Sequence, residues 1–308
     1  MIAGARGPVA AVDIGTNSVR LLIADASGGE IVREMRMTRL GQGVDVARRL
    51  APEAVERTVR VIAEYAQLIA HHGGAPSRTR AVATSAARDA ENRADFFDSV
   101  ERALGVRPEL LSGDDEARLS FAGATRGLDP AEGPFLVIDI GGGSTEIVLG
   151  TTAPEAVVSV PLGCVRMTER HLASDPPTAA EIGACVADVT RTLGPVRAAI
   201  DVGRARRVIG LAGTVAALAG LKLGLRRYDA ARTHHARLTR AEVEAMFERL
   251  ARATVAERRA MLAEPARAET IVGGAAVLAT ILRELDLTEL TASETDILDG
   301  LTASLLEA

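Results

Sequence analysis

Two stretches of the chain share one pattern. Gly7-Pro8 leads into the apolar run Val9–Val12, then Asp13-Ile14-Gly15-Thr16-Asn17-Ser18 and a second apolar run, Val19–Ile23. Gly133-Pro134 leads into Phe135–Ile138, then Asp139-Ile140-Gly141-Gly142-Gly143-Ser144 and Thr145–Leu149. Each copy reads as a strand, a carboxylate at its end, a tight glycine-containing turn, and a returning strand. Such a repeat restricts the fold to two similar lobes arising by duplication. It also suggests a chemistry. A strand-end carboxylate can hold a divalent cation directly or through water, and turn glycines let backbone N–H groups converge on an anion. Two such hairpins facing one another across a cleft would grip a metal–phosphate unit, which points to phosphoryl transfer.

The remaining pattern supports an α/β class. Strands are expected at 9–13, 18–25 and 31–39, then a helix from Pro52 to His72 with an apolar face of Val55, Val59, Ile62, Ala66 and Ile69. Arg80–Thr84 reads as a buried strand and Val106–Leu111 as another. Arg88 falls in the loop before a helix over 92–104, and Ser112–Leu119 opens a further helix. The second lobe restarts with strands at 135–139, 144–149 and 156–160. Thr178…Glu181, Thr239…Glu242 and Thr254…Glu257 have the spacing of helix capping boxes. A long apolar helix over Glu269–Leu285 is expected to be interrupted at Gly273-Gly274, and a last helix to begin near Thr295. The leading three-strand meanders make both sheets mixed. The lobes are drawn at 1–128 and 129–308, with the terminal helix able to pack back on the first.

Composition excludes several classes. Lys222 is the only lysine, and it lies in Gly220-Leu-Lys-Leu-Gly224, so a Walker A loop is absent. A net charge of −5 argues against broad nucleic-acid binding. Cys164 and Cys185 stand apart, without metal-ligand spacing, and read as two buried thiols. His71-His72 and His234-His235 read as helix-end or loop residues. The start Met1–Pro8 is too short for a signal segment, and no apolar run reaches membrane-spanning length, so a cytoplasmic protein without a membrane partner is expected.

Asp13-Ile-Gly-Thr-Asn-Ser-Val-Arg20, Asp139-Ile-Gly-Gly-Gly-Ser-Thr-Glu146, Ala83-Thr-Ser-Ala-Ala-Arg88-Asp-Ala-Glu-Asn92, Ser112-Gly-Asp-Asp-Glu116-Ala-Arg-Leu and Ile209-Gly-Leu-Ala-Gly-Thr214 run through nearly the whole chain. Together they resemble the exopolyphosphatase / guanosine pentaphosphate phosphohydrolase family of the actin-like ATPase clan, in its short two-domain form. One departure is Asp115-Glu116, where the family usually has Glu-Glu. The resemblance implies two ribonuclease H-like lobes with mixed sheets flanked by helices, the active site in the interlobe cleft, and a link to the stringent response. It implies release of the terminal phosphate of inorganic polyphosphate, with guanosine pentaphosphate as the alternative substrate.

On pattern alone Glu116 is a helix N-terminal acid; the resemblance makes it the catalytic residue that activates water. Gly15, Thr16, Asn17, Ser18, Gly141, Gly142, Gly143 and Ser144 are the expected phosphate loops, with Arg20 and Arg88 beside them. Asp139 and Glu146 are the expected ligands of Mg²⁺ or Mn²⁺. Asp13 matches Asp139 by position, and its alternative is a carboxylate that orients water or an amide. Seven residues separate Asp139 from Glu146, a spacing that would put them on opposite faces of one straight strand. A turn between them removes that parity. Other classes left open are an ATP-dependent small-molecule kinase and a non-catalytic alarmone-binding sensor, and a homodimer is compatible with everything above.

Overall fold

The computed structural model describes residues 7–307. Residues 1–6, on which the expectation of no leader partly rests, lie outside the described residues. The chain divides into two compact units. One runs to Gly123 and resumes at Ile297, and the other spans Ala124–Asp296.

In the first unit β1 (Val9–Ile14), β2 (Ser18–Ala24) and β3 (Glu30–Met37) form an antiparallel meander. β4 (Thr79–Ala83) joins β1 in parallel and β5 (Glu109–Leu110) joins β4, giving the order β3-β2-β1-β4-β5. The period-two alternation of a strand sends neighbouring residues to opposite faces. Ala10, Val12 and Ile14 pack with Ile62, Tyr65, Phe96 and Val100 on one face. Ala11 packs with Leu22, Val82, Leu111 and the Ile297–Glu307 helix on the other. Being covered on both sides explains why β1 is a continuous apolar run.

Three details depart from the sequence reading. The helix Pro52–His71 buries Ala54, Thr58, Ile62, Tyr65 and Ile69, while Val55, Val59 and Ala66 flank that stripe. Tyr65 sets the rotation, because its hydroxyl donates to the Val19 carbonyl at 3.2 Å. The strand expected over Val106–Leu111 pairs only at Glu109–Leu110, since Pro108 has no N–H to donate to a ladder. Arg88 lies in a short helix, Ser85–Asp89, and not in a loop.

The second unit repeats the scheme. β6 (Phe135–Ile140), β7 (Thr145–Gly150) and β8 (Pro154–Val160) are the meander. β9 (Arg207–Leu211) and β11 (Glu289–Ala292) continue in parallel, with β10 (Arg237–Thr239) as an added antiparallel edge. All three capping boxes form. The helix Ile271–Glu284 runs through Gly273-Gly274 without a break. The glycines serve close packing instead: a Cβ on Gly273 would lie 2.4 Å from the Thr168 hydroxyl, and one on Gly274 2.3 Å from that of Thr214. No helix among the described residues is long and apolar enough to cross a membrane.

Candidate active site

The β1–β2 turn begins with a Gly15 N–H to Ser18 carbonyl bond of 3.0 Å. Its carbonyls are tied back by the segment after β3. Gly41 donates to Thr16 O, and Thr38 and Arg39 both donate to Asn17 O, at 2.8–3.0 Å. A trans peptide points its N–H opposite to its C=O, so fixing these carbonyls turns the following amides away from the protein's own acceptors. The Asn17 side chain is 7 % exposed, and neither polar atom of its carboxamide has a partner among the described residues. An unsatisfied buried polar group costs about 1–3 kcal/mol, and such a cost is expected where a ligand supplies the missing bonds.

Asp13 and Arg20 sit directly opposite each other in the β1–β2 register. Cross-strand partners share a face, and here they form an ion pair. Arg20 Nη2 and Nε donate to Asp13 Oδ2 at 2.7 and 3.0 Å. Asp13 is thus engaged by a cation from its own hairpin.

The β6–β7 turn has the same frame. Gly141 N–H donates to Ser144 O at 3.0 Å. The carbonyls are held by the start of the helix Cys164–His171: Cys164 N–H to Gly141 O at 3.0 Å, and Val165 and Arg166 N–H to Gly142 O at 2.9 and 3.1 Å. The Gly142 and Gly143 N–H groups have no acceptor among the described residues. Gly163 allows this approach, because a Cβ there would lie 2.3 Å from the Gly142 carbonyl carbon. A glycine turn with its carbonyls pinned and its amides turned outward is an anion nest.

Asp139 and Glu146 are direct cross-strand partners, so the turn does remove the odd parity and both carboxylates share a face. They are buried, at 7 % and 1 % exposure. The Ser159 hydroxyl, opposite Glu146 in the β7–β8 register, donates to Glu146 Oε1 at 2.7 Å. Two buried carboxylates on one face are mutually unfavourable unless a cation accompanies them. No group of three or more His, Cys, Asp or Glu side chains suited to a metal occurs among the described residues. Two carboxylates alone fit a hard cation such as Mg²⁺, which keeps several waters and takes further oxygens from substrate phosphates.

Glu116 lies in the first turn of the helix Gly113–Thr125. Its carboxylate reaches across to Arg88, whose Nη1 donates to Oε2 at 2.6 Å and to the Leu111 carbonyl at 3.0 Å. The two residues named separately from sequence are therefore one ion pair. Both cysteines are buried free thiols. Burial, with Asp188 adding to it, pushes Cys185 up to about 12, which rules against a thiolate nucleophile.

Sequence reasoning missed Ser159 and Arg166. Ser159 was findable by laying the expected strands 144–149 and 156–160 in antiparallel register. Arg166 carried a weaker signal, a lone arginine inside Leu162-Gly-Cys-Val-Arg-Met167. In Ile209–Thr214, Ala212 adopts a φ of 65° at the start of the helix Ala212–Lys222, and the Arg267 guanidinium lies against Gly213.

Two strand–turn–strand hairpins of one frame, one in each unit, characterise this α/β protein. Residues 22–308 match the model of the Ppx/GppA phosphatase family, and the chain belongs to that family. A Mycobacterium tuberculosis protein named exopolyphosphatase 2 is 44 % identical over 314 residues, covering 96 % of this chain and 98 % of its own. The crystal structure of an exopolyphosphatase-like protein is 41 % identical with a TM-score of 0.93, covering 97 % of this chain and 99 % of its own. The Aquifex aeolicus family member is 32 % identical with a TM-score of 0.79, covering 98 % of each chain.

Proposed function

We propose that the protein is an exopolyphosphatase that hydrolyses the terminal phosphoanhydride of inorganic polyphosphate. The observation that carries the reading is the buried Asp139–Glu146 pair beside an anion nest whose Gly142 and Gly143 amides lack acceptors in the protein. The similarity to a named exopolyphosphatase over almost the whole of both chains favours polyphosphate over guanosine pentaphosphate.

In this reading the amides of Gly141–Ser144 and those of Gly15–Ser18 each bind phosphoryl oxygens, and the Asn17 carboxamide adds a donor beside the Gly15–Ser18 amides. Preorganised donors of this kind stabilise the charge that develops in phosphoryl transfer. Asp139 and Glu146 would hold Mg²⁺ or Mn²⁺, which supplies charge neutralisation on the transferred group. Ser159 keeps the Glu146 carboxylate oriented. Asp13 holds Arg20 in place, and Arg20 and Arg88 meet the trailing phosphates, where the planar guanidinium suits bidentate contact. Glu116 takes the proton of the attacking water. Its pairing with Arg88 lets an arriving phosphate draw that guanidinium toward itself as the carboxylate turns to water.

The test is phosphate release from polyphosphate, guanosine pentaphosphate and ATP side by side, with Mg²⁺ and with chelator. Chelator-sensitive release from polyphosphate, faster than from the other two, is expected. Preference for guanosine pentaphosphate would reassign the substrate, and release from none of the three would overturn the reading.

A further inference from the structure

The two phosphate turns are pinned by different means. In the β1–β2 turn, Thr38 and Arg39 backbone N–H groups hold the carbonyl of the third residue, Asn17. In the β6–β7 turn the third residue is Gly143, and its carbonyl is held by a side chain: Arg166 Nε donates to Gly143 O at 2.6 Å. Arg166 is only 8 % exposed and also donates its backbone N–H to Gly142 O. The difference matters because the second turn is Gly-Gly-Gly. Glycine populates both signs of φ with similar ease, so a peptide plane in such a turn can rotate at little cost unless something holds it.

We propose that Arg166 is a positioning residue for the reaction, whose guanidinium fixes the Gly143–Ser144 peptide so that the Ser144 N–H faces the bound phosphate. The carbonyls of Gly141, Gly142 and Gly143 are then all held by one segment, Cys164–Arg166. The amides of Gly142, Gly143 and Ser144 consequently point the other way, as one donor array. Arg166 acts through the backbone and not by touching substrate. A charged donor suits the task, since hydrogen bonds from ionised groups are shorter and stronger than neutral ones.

The inference rests on reading Gly141–Ser144 as the phosphate cradle, and two variants separate it from a plain packing role. Arg166→Met keeps most of the stem volume and removes the donor. Arg166→Gln places an amide nitrogen the same number of bonds from Cα as arginine Nε, and so restores a donor without the charge. Arg166→Met is expected to lower kcat by about 10- to 100-fold with KM changed far less, a loss below the ~10²–10³ of deleting a direct oxyanion donor. Inhibition by inorganic phosphate should weaken with it, while circular dichroism shows the fold intact. Arg166→Gln should recover most of kcat.

A folded Arg166→Met protein with wild-type kcat and phosphate inhibition overturns the proposal. So does an Arg166→Gln protein as impaired as Arg166→Met, which would mean that the guanidinium touches substrate itself. A readout without any variant is the amide spectrum of the wild-type protein titrated with phosphate. Gly142, Gly143 and Ser144 should shift together, and three unmoved signals overturn the cradle and its clamp alike. A wild type that binds phosphate but cleaves no polyphosphate would sink the proposed substrate and leave the clamp standing.

Discussion

The β1–β2 and β6–β7 hairpins have the same backbone and opposite electrostatics. Each has an aspartate one residue before the end of the first strand, facing a residue near the start of the return strand across the ladder. In the first hairpin that residue is Arg20, and the pair is internally neutral. In the second it is Glu146, and two carboxylates lie buried on one face. A repeated fold therefore does not mean a repeated role. The turn has one frame in both units, while a single cross-strand position decides whether the aspartate faces an arginine or a second carboxylate. In the proposed reading the cation sits with Asp139 and Glu146, while the Asp13 carboxylate, which matches Asp139 by position, is engaged by Arg20.

The severest way to break this contrast is Glu146→Arg, which writes the pairing of the first hairpin into the second. Loss of several kcal/mol of charge stabilisation corresponds to about a thousandfold or more in turnover. Divalent-cation dependence should disappear with it, in a protein that still folds. Retention of wild-type Mg²⁺ dependence would place the cation elsewhere. Asp139→Asn should act in the same direction.

Next in size, Glu116→Gln preserves shape and removes the proton acceptor. Turnover should fall by roughly 10² or more, as for lost general bases, with substrate binding little changed in a direct titration. Near-wild-type turnover would return Glu116 to the plain role of a helix N-terminal acid paired with Arg88.

In the ligand-free protein a change in the first hairpin should register in stability, beside the loss of a contact to the trailing phosphates. Arg20→Met leaves Asp13, at 5 % exposure, without its cation. Removing one partner of a fully buried pair costs 3–5 kcal/mol; this pair is partly solvated, so about 2 kcal/mol is expected. The melting temperature of the ligand-free protein should drop by several degrees, and an unchanged melt would show that the ion pair contributes nothing.

The smallest effect concerns acid. Glu181, Glu242 and Glu257 cap three helices of the second unit, and hydrogen bonds hold each below its ordinary value. For Glu181, whose largest cause is the Thr178 backbone N–H, the value falls to about 2. A carboxylate whose folded value is depressed favours the folded state above its unfolded value of about 4.3. That contribution fades as pH falls from there through the folded value. Amide protection factors around the Glu181 cap, taken relative to intrinsic exchange, should therefore fall between about pH 4.3 and 2, with the other two caps losing protection in the same direction. The triple glutamine variant should lack that dependence.

Much of the frame was legible because it is local. Strands alternate or run apolar, turns need small residues, and a capping threonine and glutamate lie three positions apart, so the meanders and all three capping boxes follow from short windows of sequence. The errors arose where a local rule met a distant partner. Gly273-Gly274 looks like a helix break until Thr168 and Thr214 are found against it. The apolar stripe of Pro52–His71 turns toward Tyr65 because the Val19 carbonyl lies within reach.

The candidate site shows the same division. From sequence alone come the two aspartates, the glycine turns and the acidic start of Gly113–Thr125, since each is set by neighbours along the chain. Only the tertiary structure decided that Arg88 and Glu116 form one ion pair, and that Arg166 holds Gly143. It also placed Ile297–Glu307, which the sequence left able to pack back on the first lobe, over β1. Those partners are tens to hundreds of residues apart in sequence. Their geometry depends on how sheets stack and which helix covers which face, and periodicity carries no record of that.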